Sequence, residues 1–156
     1  MKKRNLLHTI IGILIPLAAG ALAARLARDG MALYMATAQK PPLSPPAWVF
    51  PVAWTILFVL MGIASVRVRA KVGLRSSAIR LYVLQLFVNF LWPLLFFRWQ
   101  AYLFSFIWLL LLLVLVLRLF DRFREVDALA GKLLIPYLIW LIFAAYLNFY
   151  AYLLNS

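Results

Sequence analysis

Hydrophobic residues fall into five runs along the chain, and none of these runs contains a charged side chain. The runs cover residues 6–24, 47–66, 81–97, 101–117 and 133–154. A helix of about 20 apolar residues crosses the roughly 30 Å hydrocarbon core of a bilayer, and each run is close to that length. The pattern predicts an all-α integral membrane bundle of five transmembrane helices, with residues 1–156 forming a single domain.

The composition excludes most classes of water-soluble protein, because 67% of the residues are hydrophobic and only 13% are charged. The chain has no cysteine, which rules out disulfides and thiolate metal sites. A net charge of +12 raises nucleic acid as a partner, but the basic residues lie between the apolar runs, where they meet lipid head groups. The lipid bilayer is therefore the expected partner, and nucleic acid is not.

Lysine and arginine are concentrated in alternate connections. Twelve lie at the amino terminus and in the second and fourth connections, whereas the first and third connections hold only Arg25, Arg28, Lys40 and Arg98. Positively charged loops of membrane proteins stay in the cytoplasm. The count predicts a cytoplasmic amino terminus and an outer carboxyl terminus, and these loops favour a bacterial inner membrane.

The first run permits two interpretations. Basic residues at 2–4, followed by an apolar stretch ending near Ala23, have the form of a cleavable secretory signal, whose removal would leave four helices. Gly12, Pro16 and Gly20 instead recur every four residues, as on a helix face that packs closely against a neighbour. This face and the length of the run favour a retained helix.

The connection over residues 25–46 is the longest, and its second half is rich in proline. Residues 40–46 read KPPLSPP, and each proline fixes its own backbone and steers the preceding residue away from helix. The segment is predicted to be stiff and to lie outside the membrane. Composition alone leaves two roles open, a rigid linker or a lid over a cavity.

The ionisable residues give no catalytic or metal-binding constellation. His8 has no carboxylate partner in the apolar runs, and the four acids, Asp29, Asp121, Glu125 and Asp127, all fall in connections. The last three lie in the basic fourth connection, where they are expected to be solvated. No metal site and no required cofactor are predicted. Because charges inside the membrane mark pumps and proton relays, their absence from the five runs argues against an ion-coupled transporter.

Three runs instead carry aromatic and amide side chains at helical spacing. The shared faces hold Trp54 and Phe58 in the second predicted helix, Gln85, Asn89 and Trp92 in the third, and Trp140, Ala144 and Asn148 in the fifth. Such side chains either pack a bundle or line a pocket for a flat, largely apolar ligand. Spacing alone does not separate these two interpretations.

Three blocks of sequence resemble one known family. Residues 45–58 read PPAWVFPVAWTILF, residues 85–97 read QLFVNFLWPLLFF, and residues 133–148 read LLIPYLIWLIFAAYLN. Together with the Lys40-Pro41 pair, they resemble the loop and the second, third and fifth helices of the TspO/translocator protein family, also called the tryptophan-rich sensory or peripheral benzodiazepine receptor family. The blocks occur in the order expected for that family.

The resemblance implies a role for the pocket. Family members are five-helix bundles, commonly homodimers in bacteria, that bind porphyrins such as protoporphyrin IX and, in many members, cholesterol and benzodiazepine-type ligands. The proline-rich segment would be a lid, with Lys40, Pro41, Pro45 and Pro46 as its candidate residues. The candidate ligand-binding residues are Trp48, Trp54, Phe58, Gln85, Asn89, Phe90, Trp92, Trp140, Phe143, Ala144 and Leu147.

Two features depart from the family pattern. Leu43 stands in the lid where members often have a tryptophan, so one lid contact is expected to be missing. The carboxyl-terminal pattern associated with cholesterol needs a basic residue after its tyrosine, and no lysine or arginine follows Tyr150 or Tyr152. Such patterns are weak even when complete, and tight sterol binding is not predicted.

The resemblance thus predicts a porphyrin-binding membrane protein, commonly a homodimer, with a sensory or regulatory role in tetrapyrrole metabolism and stress. Two alternatives follow from the same resemblance. One is an enzyme that degrades bound porphyrin in light, with Trp54 and Trp140 as redox partners, and the other is a transporter of porphyrin or another hydrophobic ligand. In the binding hypothesis, the ligand stacks near these two tryptophans, Asn89 orients it, and Lys40 meets a propionate.

Overall fold

The computed structural model describes residues 2–155, and every regular element in that range is helical. The elements are α1 (Lys2–Leu26), α2 (Arg28–Thr37), α3 (Val49–Val72), α4 (Ser77–Pro93) with a π-helical turn after it (Leu94–Arg98), α5 (Tyr102–Val126), α6 (Ala128–Leu133) and α7 (Ile135–Asn155). Within this range five stretches are long and apolar enough to span a membrane, and α6 and α7 share the last of them. The predicted class, an all-α bundle of five transmembrane helices, is confirmed.

The helices extend beyond the predicted apolar runs at their basic ends. α3 continues to Val72 instead of ending at residue 66, and α5 continues to Val126 instead of ending at residue 117. Arginine and lysine are good helix formers, so the helix continues after it leaves the apolar layer. α3 ends at Gly73, whose φ of 85° is a left-handed conformation that glycine adopts without strain.

The longest connection contains a helix, α2, that the sequence analysis did not predict. α2 packs against the π-helical turn, and Gly30 approaches the backbone of Phe97 so closely that a side chain at this position would overlap its carbonyl group. Proline disfavours helix only in the second half of the connection, and residues 38–48 are indeed irregular. The connection is therefore a helix followed by a proline-rich segment.

The small-residue face of α1 packs against α3. A side chain at Gly12 would overlap Val66, and one at Gly20 would overlap the ring of Phe58. On the facing helix, a Cβ atom at Gly62 would lie 2.8 Å from the carbonyl oxygen of Gly12. Helices in lipid associate through close packing and not through the hydrophobic effect, so these glycines set the distance between the two backbones.

Asp127 lies buried at the basic end of the bundle, between α5 and α6. Its Oδ2 is 2.9 Å from the Lys71 ammonium and 3.1 Å from the Arg67 guanidinium, and its Oδ1 accepts the backbone N–H of Ala130 at 3.0 Å. Lys71, with the Ala130 amide and Arg67, holds the pKa of the Asp127 carboxyl well below its usual range. The expectation of a solvated side chain is wrong for Asp127, because the ends of α3 and α6 enclose it.

Candidate functional site

A cavity of about 560 Å³ lies at the end of the bundle opposite Asp127. Its walls come from α1, α2, the proline-rich segment, α3, α4 with its π-helical turn, and α7, and most of the lining side chains are aliphatic or aromatic. Small-molecule sites in proteins have volumes of roughly 300–1,000 Å³ and a similar lining. The cavity therefore has the size and character of a site for a largely apolar ligand.

Most of the candidate site residues meet at this cavity. From the helices, Trp54, Phe58, Asn89, Trp92, Trp140, Ala144 and Leu147 line it, and from the proline-rich segment Lys40, Pro41 and Pro45 do so. The helical spacing seen in the sequence therefore brings residues of α3, α4 and α7 to the wall of one cavity. That any of them contacts a ligand stays a prediction.

Five of the candidate residues lie elsewhere. Trp48 is 66% exposed, Pro46 is also exposed, and Phe90 is half-buried away from the cavity. Phe143 lines an open apolar groove on the outer surface, between α3 and α7. Gln85 is fully buried in the core and does not line the cavity.

The aromatic wall is centred on Trp54. Its ring stacks on Phe58 with 5.6 Å between centroids, lies 6.4 Å from Trp92, and meets Trp140 almost perpendicularly at 6.3 Å. Flat rings at such angles provide both faces and edges for a planar ligand. The wall favours an aromatic or conjugated molecule over a flexible chain.

The indole N–H groups of this wall differ in their partners. Trp92 donates to the Asn148 side-chain oxygen at 2.9 Å, so it offers the cavity only its ring. Trp140 has a buried N–H with no partner among residues 2–155, and its ring packs against Phe50 and Phe143 between the cavity and the outer groove. The N–H of Trp54 has no partner in the same range and is not enclosed. Trp54 is thus the tryptophan of this wall with a donor open to a ligand.

The proline-rich segment forms one wall of the cavity and is tied to α7. The Gln39 backbone N–H donates to the side-chain oxygen of Asn155 at 2.8 Å, and the Asn155 amide donates back to the Gln39 carbonyl at 2.9 Å. The Tyr146 hydroxyl donates to the Pro42 carbonyl at 2.9 Å. These bonds position the segment across the end of the bundle, as a lid would lie.

The Lys40 side chain is engaged by the carboxyl-terminal end of α2. Its ammonium donates to the carbonyl oxygens of Tyr34, Met35 and Ala38, at 3.2, 2.6 and 3.0 Å. An ammonium group has three protons, so these carbonyls at the end of α2 use all of them. Lys40 caps α2, and a ligand carboxylate would have to compete with this cap.

Tyr34 of α2 lines the cavity beside the π-helical turn. Its ring packs edge-on against Phe96 and Phe97, with centroids 5.2 and 5.6 Å away. Burial, with a smaller contribution from Tyr102, raises the pKa of the Tyr34 hydroxyl to about 12. The hydroxyl therefore stays protonated near neutral pH and remains a hydrogen-bond donor.

Sequence reasoning missed the lining residues that come from α1 and α2. These include Leu17, Gly20, Ala21, Met31 and Tyr34. The small-residue face of α1 predicted that this helix packs closely against a neighbour. It did not predict that α1 also lines the cavity. Tyr34 could not be identified as a lining residue from the sequence, because α2 itself was not predicted.

The chain has relatives among bacterial and animal proteins. It is 37% identical over 126 residues to the tryptophan-rich protein TspO of Chlorobaculum tepidum, which covers 78% of this chain and 79% of that protein. It is 39% identical over 116 residues to the tryptophan-rich sensory protein of Cereibacter sphaeroides, covering 74% and 73%. It is 35% identical over 140 residues to the translocator protein of Ovis aries, covering 87% and 83%. Residues 12–153 match the family model for TspO/MBR, and the chain therefore belongs to the TspO/MBR family.

Proposed function

We propose that this integral membrane protein binds a porphyrin, or a closely similar flat tetrapyrrole, in the cavity under the lid. The observation that carries the proposal is the 560 Å³ cavity with the rings of Trp54, Trp92 and Trp140 in its wall. A conjugated macrocycle is flat, largely apolar and able to stack on indole rings. We further propose a sensory or regulatory role for this binding, in keeping with a relative named tryptophan-rich sensory protein.

Few polar groups are free to orient such a ligand. The Trp54 N–H, the Asn89 amide and the Tyr34 hydroxyl all border the cavity. A small number of fixed polar groups in an apolar pocket is the usual basis of orientation and specificity. In this proposal the macrocycle stacks beside Trp54 and Trp140, and its polar groups meet Asn89 and the Trp54 N–H.

The distribution of basic residues supports an orientation of the cavity relative to the two sides of the membrane. The end that carries Asp127 holds most of the basic residues, and the lid lies at the other end. Under the positive-inside rule, the basic end faces the cytoplasm and the lid faces outward. We propose that the protein lies in a bacterial inner membrane and receives its ligand on the outer side.

The proposal is tested by titrating the detergent-purified protein with protoporphyrin IX in the dark and following tryptophan fluorescence. A Trp54→Phe/Trp140→Phe variant is compared with a Trp99→Phe/Trp108→Phe variant, which loses as many indoles at positions outside the cavity. We expect saturable binding, weakened about tenfold in the first variant because the larger indole stacking surfaces and one donor are lost. The second variant should retain the wild-type Kd.

Two results would count against porphyrin binding in the cavity. Quenching that rises linearly and equally in all three proteins would mean that porphyrin only partitions into detergent. Saturable binding with the same Kd in both double variants would place the porphyrin at another site.

A further inference from the structure

Asn89 is the one residue with a side-chain amide among the described lining residues, and a buried chain of hydrogen bonds holds it. The Asn89 Nδ2 donates to the Tyr137 hydroxyl at 2.6 Å, and that hydroxyl donates to the Gln85 Oε1 at 2.9 Å. Asn89 is only 4% exposed, Tyr137 is 1% exposed, and Gln85 is fully buried. This series of hydrogen bonds therefore runs from the cavity wall into the buried core.

The direction of this chain decides which edge of Asn89 faces the cavity. A hydroxyl has one proton, so Tyr137 can donate to Gln85 or to Asn89, but not to both. When Tyr137 donates to Gln85, it accepts from the Asn89 nitrogen. The Asn89 oxygen then has no protein partner among residues 2–155 and is left to the cavity.

Met61 selects this direction. The Gln85 Nε2 lies 3.9 Å from the Met61 sulfur, and a thioether can accept a hydrogen bond but cannot donate one. If the Gln85 amide were reversed, its oxygen would face the sulfur without a donor, and its nitrogen would donate to Tyr137. A buried polar group without a partner is costly, so the observed orientation of Gln85 is favoured.

We propose that Met61, Gln85 and Tyr137 act as positioning residues that turn the Asn89 oxygen toward the cavity, so that the site selects flat ligands carrying an N–H or O–H donor. This inference rests on the proposed function, because it requires the cavity to be the ligand site. It adds a preference for ligands with a hydrogen-bond donor, which the shape of the aromatic wall alone would not produce. A free-base tetrapyrrole, with its pyrrole N–H groups, belongs to the selected class.

The preference is measured with two probes of the same shape. Carbazole and dibenzofuran are planar tricyclic molecules that differ at one ring position, where carbazole has an N–H donor and dibenzofuran an oxygen acceptor. Their Kd values are determined by calorimetric titration of the purified protein in detergent, with protein-free detergent as the blank. The wild type should bind carbazole about fivefold more tightly than dibenzofuran, the effect of one net hydrogen bond.

Three variants separate positioning from general packing. Gln85→Met removes the acceptor of Tyr137, whose hydroxyl then donates to Asn89 and turns the amide nitrogen toward the cavity, so the preference should be lost or reversed. Gln85→Glu should keep it, because a buried glutamic acid stays protonated and retains a carbonyl acceptor. Leu86→Met introduces a methionine at a neighbouring core position and should leave the preference unchanged. Thermal unfolding of each variant reports whether the fold is intact.

The inference is overturned if the wild type binds the two probes equally, prefers dibenzofuran, or binds neither. It is also overturned if a folded Gln85→Met variant keeps the wild-type preference. A protoporphyrin titration of the same preparations distinguishes the two proposals. A carbazole preference without porphyrin binding would reject the porphyrin and keep the positioning chain, whereas porphyrin binding without the preference would do the opposite.

Discussion

At the scale of single residues, tryptophans that look alike in the sequence differ in the partner of the indole N–H. Trp92 donates to Asn148, and Trp108 donates to the Val88 carbonyl at 2.8 Å, whereas the buried N–H of Trp140 has no partner among residues 2–155. Helical spacing placed Trp92 on its face correctly. Helical spacing could not identify the hydrogen-bond partners of the indole N–H groups, because these partners lie on other helices whose relative rotation is set by packing.

Asp127 shows the same limit for a charged residue. Its place in a basic connection indicated solvated charge, yet it is 4% exposed between Arg67 and Lys71. We expect Asp127→Asn to lower the melting temperature of the protein by several degrees, because two cations would lose their shared partner. Asp121→Asn is the matched control, since the Asp121 side chain is 58% exposed and should contribute little. Equal melting temperatures for the two variants would show that the ion pairs of Asp127 do not stabilise the bundle.

Asp127 also predicts a pH dependence of stability. Its pKa in the folded protein lies below the value of about 3.9 for a free aspartate, so the unfolded chain binds the proton first. The stabilisation is therefore complete above roughly pH 4 and is lost as the pH falls toward the lowered pKa. Acid unfolding followed by circular dichroism should show a smaller loss of stability in Asp127→Asn than in the wild type over this range. A loss of the same size in both proteins would contradict the assignment.

At the scale of elements, the apolar runs predicted the spans because lipid requires every spanning segment to be helical and apolar. The ends of α3 and α5 were less predictable, since basic residues remain helical outside the apolar layer. α2 was not predicted because it is only ten residues long, lacks a continuous apolar run and contains Gly30. α2 instead packs against the π-helical turn, a long-range contact that no local pattern describes.

The contact at Gly30 predicts how α2 controls the cavity. Gly30→Val should push α2 away from Phe97, because a side chain there would overlap the backbone carbonyl group. We expect protoporphyrin affinity to fall about tenfold, because the displaced α2 carries Met31 and Tyr34 out of the cavity wall. Ala32→Val, at an exposed position of the same helix, should bind as the wild type does. Equal affinities for the two variants would mean that α2 has no part in the site.

At the scale of the whole molecule, the two ends of the bundle have different characters. One end is basic and contains the buried Asp127, and the other carries the proline-rich segment and the cavity. The alternation of charge was readable from the sequence, but the cavity was not, because it forms only where six segments meet. The α1–α3 contact already uses Gly12 and Gly62, so the homodimer that the resemblance implies would have to use another face.

The chain has no native cysteine, which makes its orientation directly testable. In cells expressing single-cysteine variants, a membrane-impermeant maleimide should label Gln39→Cys, which directly precedes the proline-rich segment, from outside. Arg75→Cys, in the connection between α3 and α4, should react only after the membrane is permeabilised. The reverse pattern would invert the proposed topology and place the lid in the cytoplasm.

If the cavity itself holds the ligand, a side chain that fills the cavity must prevent porphyrin from binding. Ala144 is a buried lining residue of α7, whereas Ile142 on the same helix is 60% exposed on the outer surface. The measurement is the Kd for protoporphyrin IX of Ala144→Phe and Ile142→Phe, with melting temperatures to verify folding. We predict at least about a tenfold loss of affinity in Ala144→Phe and none in Ile142→Phe, because only the first phenylalanine occupies ligand space. Wild-type affinity in a folded Ala144→Phe protein would contradict the account.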